Sequence, residues 1–177
     1  MVLYQHRLKM LGMILMLNEL NEKGRLAKAA SYELAKLSSD IKNSALIAIA
    51  DSLRKNKDYI IGENKKDITA AKESNMREGL IDRLTLNAVR IDSMAEGIEQ
   101  IAALPDPIGE MISQVKRPNG LKIGQVRVPL GVIGIIYEAR PNVTADAAGL
   151  CIKAGNSVIL RGGKEAINSN MAICKVM

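Results

Sequence analysis

Two apolar runs of strand length, GVIGIIY (131 to 137) and NSVILRGG (156 to 163), flank an Ala-rich helical stretch, VTADAAGLCIKAG (143 to 155), that closes on a glycine. Strand, helix and strand at this spacing make a βαβ unit, whose strands are parallel and whose sheet calls for cover on both faces. The same unit says where a ligand goes, because open α/β sheets bind small molecules beyond the carboxyl ends of their strands. Residues 138 to 142 and 161 to 164 follow the two strand ends, so both loops face the expected crevice.

The chemistry of the two loops can be read separately. Arg161, Gly162, Gly163 and Lys164 place two cations around a glycine pair at the start of a helix, where backbone N–H groups and the helix dipole favour an anion such as phosphate. A tight turn that needs glycine, with solvated Arg and Lys, fits the same residues, and both readings stay open. Neither G-x-G-x-x-G nor G-x-x-x-x-G-K-[ST] is present. Gly131 and Gly134 read as packing glycines. Asn142, held by Pro141, has an amide that can serve a developing oxyanion or act only as a turn or cap residue.

Upstream, from about residue 16 to 103, the chain reads as successive helices. In DIKNSALIAIADSLRKN, Ile41, Ala45, Leu46, Ile49, Ala50 and Leu53 recur at helical spacing, with Lys42, Asp51 and Arg54 off that face and Ser39 as the expected cap. Further helices are expected over 58 to 72 and 87 to 103, the latter with Ile91, Met94, Ile98 and Ile101 on one side. Leu104-Pro105-Asp106-Pro107 forbids its continuation. The period then changes: MISQVKRPNGLKIGQVRVPLG has an Asn119-Gly120 turn between alternating stretches, the pattern of a β-hairpin. Its open edges suit either pairing with another chain or a plain surface role.

Composition narrows the partners. With four Tyr, no Phe and no Trp, the core must be aliphatic, and the stacking platforms of single-stranded nucleic-acid binders are missing. The net charge of +6 is spread among acids, which reads as a solvated surface and not a nucleic-acid patch. Cys151 and Cys174 have no metal spacing around them and fit a reduced, cytoplasmic compartment; no metal site is expected. No segment approaches the roughly 18 to 20 apolar residues of a membrane span. MVLYQHRLKMLGMILML lacks a signal-peptide cleavage site, so residues 1 to 15 read as an extension ahead of a start near Met16.

The run RVPLGVIGIIYEARPNVTADAAGLCIKAGNSVILRGGKEAINSN (127 to 170) resembles the corresponding segment of the gamma-glutamyl phosphate reductases, or glutamate-5-semialdehyde dehydrogenases, of the aldehyde dehydrogenase superfamily. The resemblance continues through ALPDPIGE, RPNGLKIGQVRVPLG, KDITAAKE and LIDRLTL, and covers essentially residues 16 to 177. It implies an α/β fold: the N-terminal portion of an aldehyde-dehydrogenase-like fold, with a helical part over 16 to 107, a hairpin over 108 to 130 suited to oligomerisation, and the incomplete parallel sheet of an NADP-binding domain over 131 to 177. The implied reaction is the NADPH-dependent reduction of L-glutamyl 5-phosphate to glutamate 5-semialdehyde, with phosphate release, in proline biosynthesis. In the superfamily a cysteine thiolate attacks the acyl group, and the resulting thioester accepts hydride from the nicotinamide.

By that resemblance Arg161, Gly162, Gly163 and Lys164 approach the adenosine ribose and its 2′-phosphate, and Tyr137 and Glu138 line the cofactor channel. Asn142 supplies an oxyanion-hole amide, and Arg140 holds the acidic substrate or its phosphate. A homo-oligomer is implied for the full-length enzyme, as is an association with the glutamate kinase of the preceding step. Nothing in the chain matches the motif of the catalytic cysteine; Cys151, inside the helix between the strands, reads as a buried thiol. The chain is therefore expected to be a fragment, inactive by itself. Two other readings stay open: the reductase part of a bifunctional proline-pathway synthase, or a non-catalytic remnant that pairs with full-length subunits.

Overall fold

The computed structural model describes residues 2 to 138 and 140 to 177, with side chains from Met16 onward. Five helices come first: α1 (Val2–Leu34), α2 (Ser39–Lys55), α3 (Lys57–Glu73), α4 (Glu78–Leu84) and α5 (Ala88–Ala103). The expected boundary at residue 16 falls inside α1, and the side chains ahead of it lie outside the described residues. The helices anticipated over 58 to 72 and 87 to 103 are α3 and α5, and α5 stops just ahead of Leu104-Pro105. The seven-residue α4 has no counterpart in the sequence reading.

The face of α2 differs from the one its spacing predicts. Leu46, Ile49, Ala50 and Leu53 are buried as expected, but Ile41 is exposed and Lys42 turns inward to 2% exposure. The reason is electrostatic. The ammonium of Lys42 meets the Asp106 carboxylate at 2.5 Å, beyond the end of α5, so burial of the charge is compensated by pairing. Ser39 joins this pair by donating to Asp106 at 2.7 Å, which leaves Ser38 as the cap whose hydroxyl accepts from the Ile41 N–H. Burial alone would push the Asp106 carboxyl up; the Lys42 ammonium, the Ser39 hydroxyl and the Ile108 N–H together outweigh it and hold the group at about 2.

α2 and α5 pack along one aliphatic core that includes Leu46, Leu53, Ile60, Ile91 and Ile98, and α6 (Asn142–Lys153) and α7 (Ile167–Val176) close it with Ala145 and Ile173. Each such Leu or Ile contributes roughly 1.5 to 3 kcal/mol on burial. Gly149 lets α6 lie close here, since a Cβ would stand 2.6 Å from Ile98 Cδ1 and 3.3 Å from Ile101 Cδ1. α6 closes on Gly155 at φ +67°: the Asn156 N–H donates to Cys151 O and the Gly155 N–H to Ile152 O, the paired closure that glycine at this position permits.

The anticipated hairpin is β1 (Met111–Lys116) and β2 (Lys122–Val126), antiparallel about Pro118-Asn119-Gly120, with Arg117 N–H donating to Leu121 O. Every residue of both strands is exposed. The βαβ unit is likewise present, as β3 (Val132–Ile136), α6 and β4 (Ser157–Arg161), with parallel strands. Its sheet is not covered throughout: α1 lies against β4, yet Ile136 is 78% exposed, because two strands and their neighbouring helices cannot enclose both faces. The two strand glycines are not packing residues. Gly131 adopts φ +110°, a conformation L side chains rarely take, and a Cβ at Gly134 would meet nothing within 4 Å.

Candidate functional site

The loops after β3 and β4 are joined at their bases, where the Tyr137 N–H donates to Arg161 O at 3.1 Å. From there the Tyr137 hydroxyl meets Thr144 Oγ1 at 2.6 Å, and Thr144 in turn donates to Asn170 Oδ1 at 3.0 Å, tying the strand end to α6 and α7. Gly162 lies beneath this group: a Cβ there would stand 2.2 Å from Asn170 Nδ2 and 3.0 Å from the Tyr137 ring. Burial pushes the Tyr137 phenol up. Tyr137 is half-buried, Glu138, Arg161 and Lys164 are exposed, and Gly162 and Gly163 are partly covered, so the two cations flank a closely packed backbone.

The helix-start argument for an anion at this loop meets a different arrangement. Lys164–Ala166 forms a single 3-10 turn, and the N–H groups that open α7 are already bonded to a carboxylate of the chain itself. Asp67, buried on α3, accepts from Asn168 N at 3.2 Å, Ser169 N at 2.8 Å, Asn168 Nδ2 at 2.8 Å and Ser169 Oγ at 2.5 Å. Asn64, one turn earlier on α3, donates to Ser169 Oγ and Leu84 O and accepts from the Leu86 N–H. Nothing in the sequence reading singled out this pair. The available signal was two polar residues, Asn64 and Asp67, on the stripe that Ile60 and Ala71 bury.

Arg140 and Asn142 fall at a second place. They line a cavity of about 340 Å³ between the start of α6 and the segment joining α4 to α5, with Arg83, Thr85, Arg90 and Asp146. The Asn142 amide donates to Asp146 Oδ2 at 3.2 Å, one helical turn along. A carboxylate can only accept, so this contact aims the NH₂ end of the amide toward Asp146, and among the described residues its second hydrogen has no partner. Burial pushes the Asp146 carboxyl up, and the Asn142 bond opposes it. The structure thus brings together Arg140 with Asn142, and Tyr137 with Gly162, as two adjoining clusters. Asp146 was legible from its i, i+4 spacing to Asn142, whereas Arg83 carried no local signal.

Of the cysteines, Cys151 is buried in α6 and burial pushes its thiol up, the reverse of what an activated nucleophile needs. No group of metal-ligating side chains occurs among the described residues, and no helix among them is long and apolar enough to cross a membrane.

No family model matches the chain. Over 161 residues, or 91% of its length, it is 57% identical to a gamma-glutamyl phosphate reductase of Carboxydothermus hydrogenoformans, and over 160 residues it is 59% identical to one of Heliobacterium modesticaldum. It spans only 39% and 38% of those proteins, matching their N-terminal part. Among solved structures, the gamma-glutamyl phosphate reductase of Thermotoga maritima superposes with a TM-score of 0.88 at 44% identity, over 89% of this chain and 38% of that one. A putative aldehyde dehydrogenase of Bacillus subtilis superposes with a TM-score of 0.67 at 20% identity, over 90% of this chain and 33% of its own, and shares the fold alone. The resemblance read from the motifs, and the N-terminal portion of an aldehyde-dehydrogenase-like fold expected from it, are borne out.

Proposed function

We propose that this chain supplies the N-terminal part of a gamma-glutamyl phosphate reductase, and that the whole enzyme reduces L-glutamyl 5-phosphate to glutamate 5-semialdehyde with NADPH and releases phosphate. The observation that carries the reading is the placing of Arg140 and Asn142 on one cavity at the end of β3, in a chain 57% identical to such reductases over 91% of its length.

On this reading the residues divide the work by cluster. The donor set after β4 fits a phosphorylated nucleotide: Arg161 and Lys164 are exposed cations suited to a 2′-phosphate, and Gly162 keeps the backbone low under the Tyr137 ring. Bound there, the nicotinamide nucleotide supplies the hydride. Tyr137 and Glu138 line its channel, with Tyr137 held by Thr144. Asn142 donates its free amide hydrogen to the carbonyl oxygen as that oxygen gains charge, while Asp146 fixes the amide's direction. Arg140 holds the anionic end of the substrate. Neither Cys151 nor Cys174 serves as nucleophile, and the thiolate comes from outside these 177 residues. A cytoplasmic setting, a homo-oligomer and contact with the preceding kinase belong to the same reading.

The test is phosphate-dependent oxidation of glutamate 5-semialdehyde by the native protein from its own cells, followed by NADPH absorbance. Turnover is expected from the native protein and none from the 177 residues alone. A native protein without turnover would sink the reading. The exposed apolar strands of the hairpin favour one second reading, a non-catalytic chain that pairs with full-length subunits; a strictly monomeric native protein counts against it.

A further inference from the structure

The cavity that holds Arg140 and Asn142 has an opposite wall, and its charges are not all engaged. Five charged side chains line it: Asp82, Arg83, Arg90, Arg140 and Asp146. Arg90 is committed to the turn between α4 and α5, donating to Thr85 O at 2.7 Å, to Asp82 Oδ1 at 2.8 Å and to the Asp82 carbonyl. That interaction also engages the Asp82 carboxylate. Asp146 accepts from Asn142, and its burial disfavours the charged form. What remains is Arg83 and Arg140. Among the described residues neither guanidinium pairs with a carboxylate or donates a hydrogen bond to the protein, and the hydroxyls of Thr85 and Ser93 line the same concavity.

Isolated arginines on a convex surface are ordinarily just solvated. Arg83 and Arg140, both exposed, stand on the walls of one open cavity, and with Asp82 already paired to Arg90 the arginines outnumber the acids there three to two, which leaves an excess of positive charge facing the concavity. A guanidinium presents its donors as a planar fork that matches the oxygens of phosphate or carboxylate. We propose that Arg83 and Arg140 form a two-guanidinium clamp for an oxyanionic group of a small ligand, phosphate or carboxylate, held beside the Asn142 amide. Arg83 is the new element. It comes from α4, a helix that Asn64 and the Arg90 turn hold in place. The clamp deepens the reductase reading by adding a substrate-binding residue, and it depends on that reading only for the ligand's identity.

Isothermal titration of the protein with inorganic phosphate, and separately with L-glutamate as the carboxylate probe, tests it. Arg83→Gln and Arg140→Gln are each expected to weaken one probe about tenfold or more, as loss of a charge-assisted contact implies. Arg117→Gln, at the tip of the hairpin, serves as the control for general charge and is expected to leave both unchanged. Loss confined to phosphate assigns the clamp to a phosphoryl group, and loss confined to glutamate assigns it to a carboxylate. Arg83→Lys, which keeps the charge without the fork, should fall between wild type and Arg83→Gln. No binding of either probe, or equal binding by wild type and Arg83→Gln with unchanged circular dichroism, overturns the proposal. Oxyanion binding that needs Arg83, in a native protein without semialdehyde oxidation, would reject the reductase reading and leave the clamp standing. Turnover with KM values for phosphate and for the semialdehyde both indifferent to Arg83→Gln would do the opposite.

Discussion

Asp106, Asp67 and Asp146 are each buried or partly buried, and each has a different compensation: Asp106 a cation, Asp67 a set of N–H and O–H donors, Asp146 a single amide. Their substitutions should differ in sign. Asp106→Asn leaves the Lys42 ammonium buried without its charge partner and is expected to cost about 3 kcal/mol in denaturant unfolding. The pH dependence follows from the same pair. The Asp106 carboxyl falls to about 2 in the folded protein from its ordinary 3.8, so its contribution is complete above 3.8 and is lost as pH falls toward 2. The variant should unfold with a flatter acid limb between those values. Asp146 is pushed the other way, so its ionised form is disfavoured in the folded state and stability drains away as pH rises through its raised value. Asp146→Asn is therefore expected to be neutral or stabilising at pH 7, while the Asn142 amide loses its fixed direction. If the proposed reading holds, Asn142→Ala should lower kcat of the native protein on the order of 10² to 10³-fold, the scale of a lost oxyanion donor. Gly162→Ala would press a methyl group into Asn170 and the Tyr137 ring; about 1 to 3 kcal/mol of destabilisation is the expected readout, together with weaker NADPH binding if the proposed cofactor loop is right.

At the scale of elements, the start of α7 depends on a residue about 100 positions earlier. Asp67→Ala removes four accepted hydrogen bonds and orphans the Asn168 and Ser169 N–H groups, so a loss of roughly 3 kcal/mol is expected. Hydrogen exchange at those two amides should quicken more than exchange in the middle of α5. This is also where the sequence was hardest to read. Helical period finds α2, α3 and α5, and the βαβ spacing finds β3, α6 and β4, because apolar residues announce the face they bury. The same period misassigned Lys42 and Ile41, since it cannot weigh a charge that finds its partner 64 residues away at Asp106. The loops after β3 and β4 were legible as a candidate site from strand polarity alone. The wall opposite Arg140 was not, because α4 is short and its place is fixed by Asn64, a tertiary hydrogen bond with no local signature.

For the whole molecule, the hairpin and the core make few demands on each other. The base of the hairpin closes on itself, with the Gly109 N–H donating to Arg127 O and the Arg127 N–H to Glu110 O, and both strands are exposed throughout. Replacing residues 111 to 126 by a short Gly-Ser link should therefore leave the thermal midpoint of the isolated chain within a few degrees, while any assembly through β1 and β2 is lost; size-exclusion chromatography beside calorimetry separates the two. The core itself is drawn together across long stretches of sequence, and the Asp67 bridge sets a timetable for it. The chain emerges from the ribosome at about 5 to 20 residues per second. Ser169 follows Asp67 by 102 residues, so α3 waits on the order of 5 to 20 seconds with an uncompensated acid on its apolar stripe. During that interval the stripe cannot be buried without cost. α3 is thereby expected to dock this stripe only once α7, which carries the compensating donors, has been made.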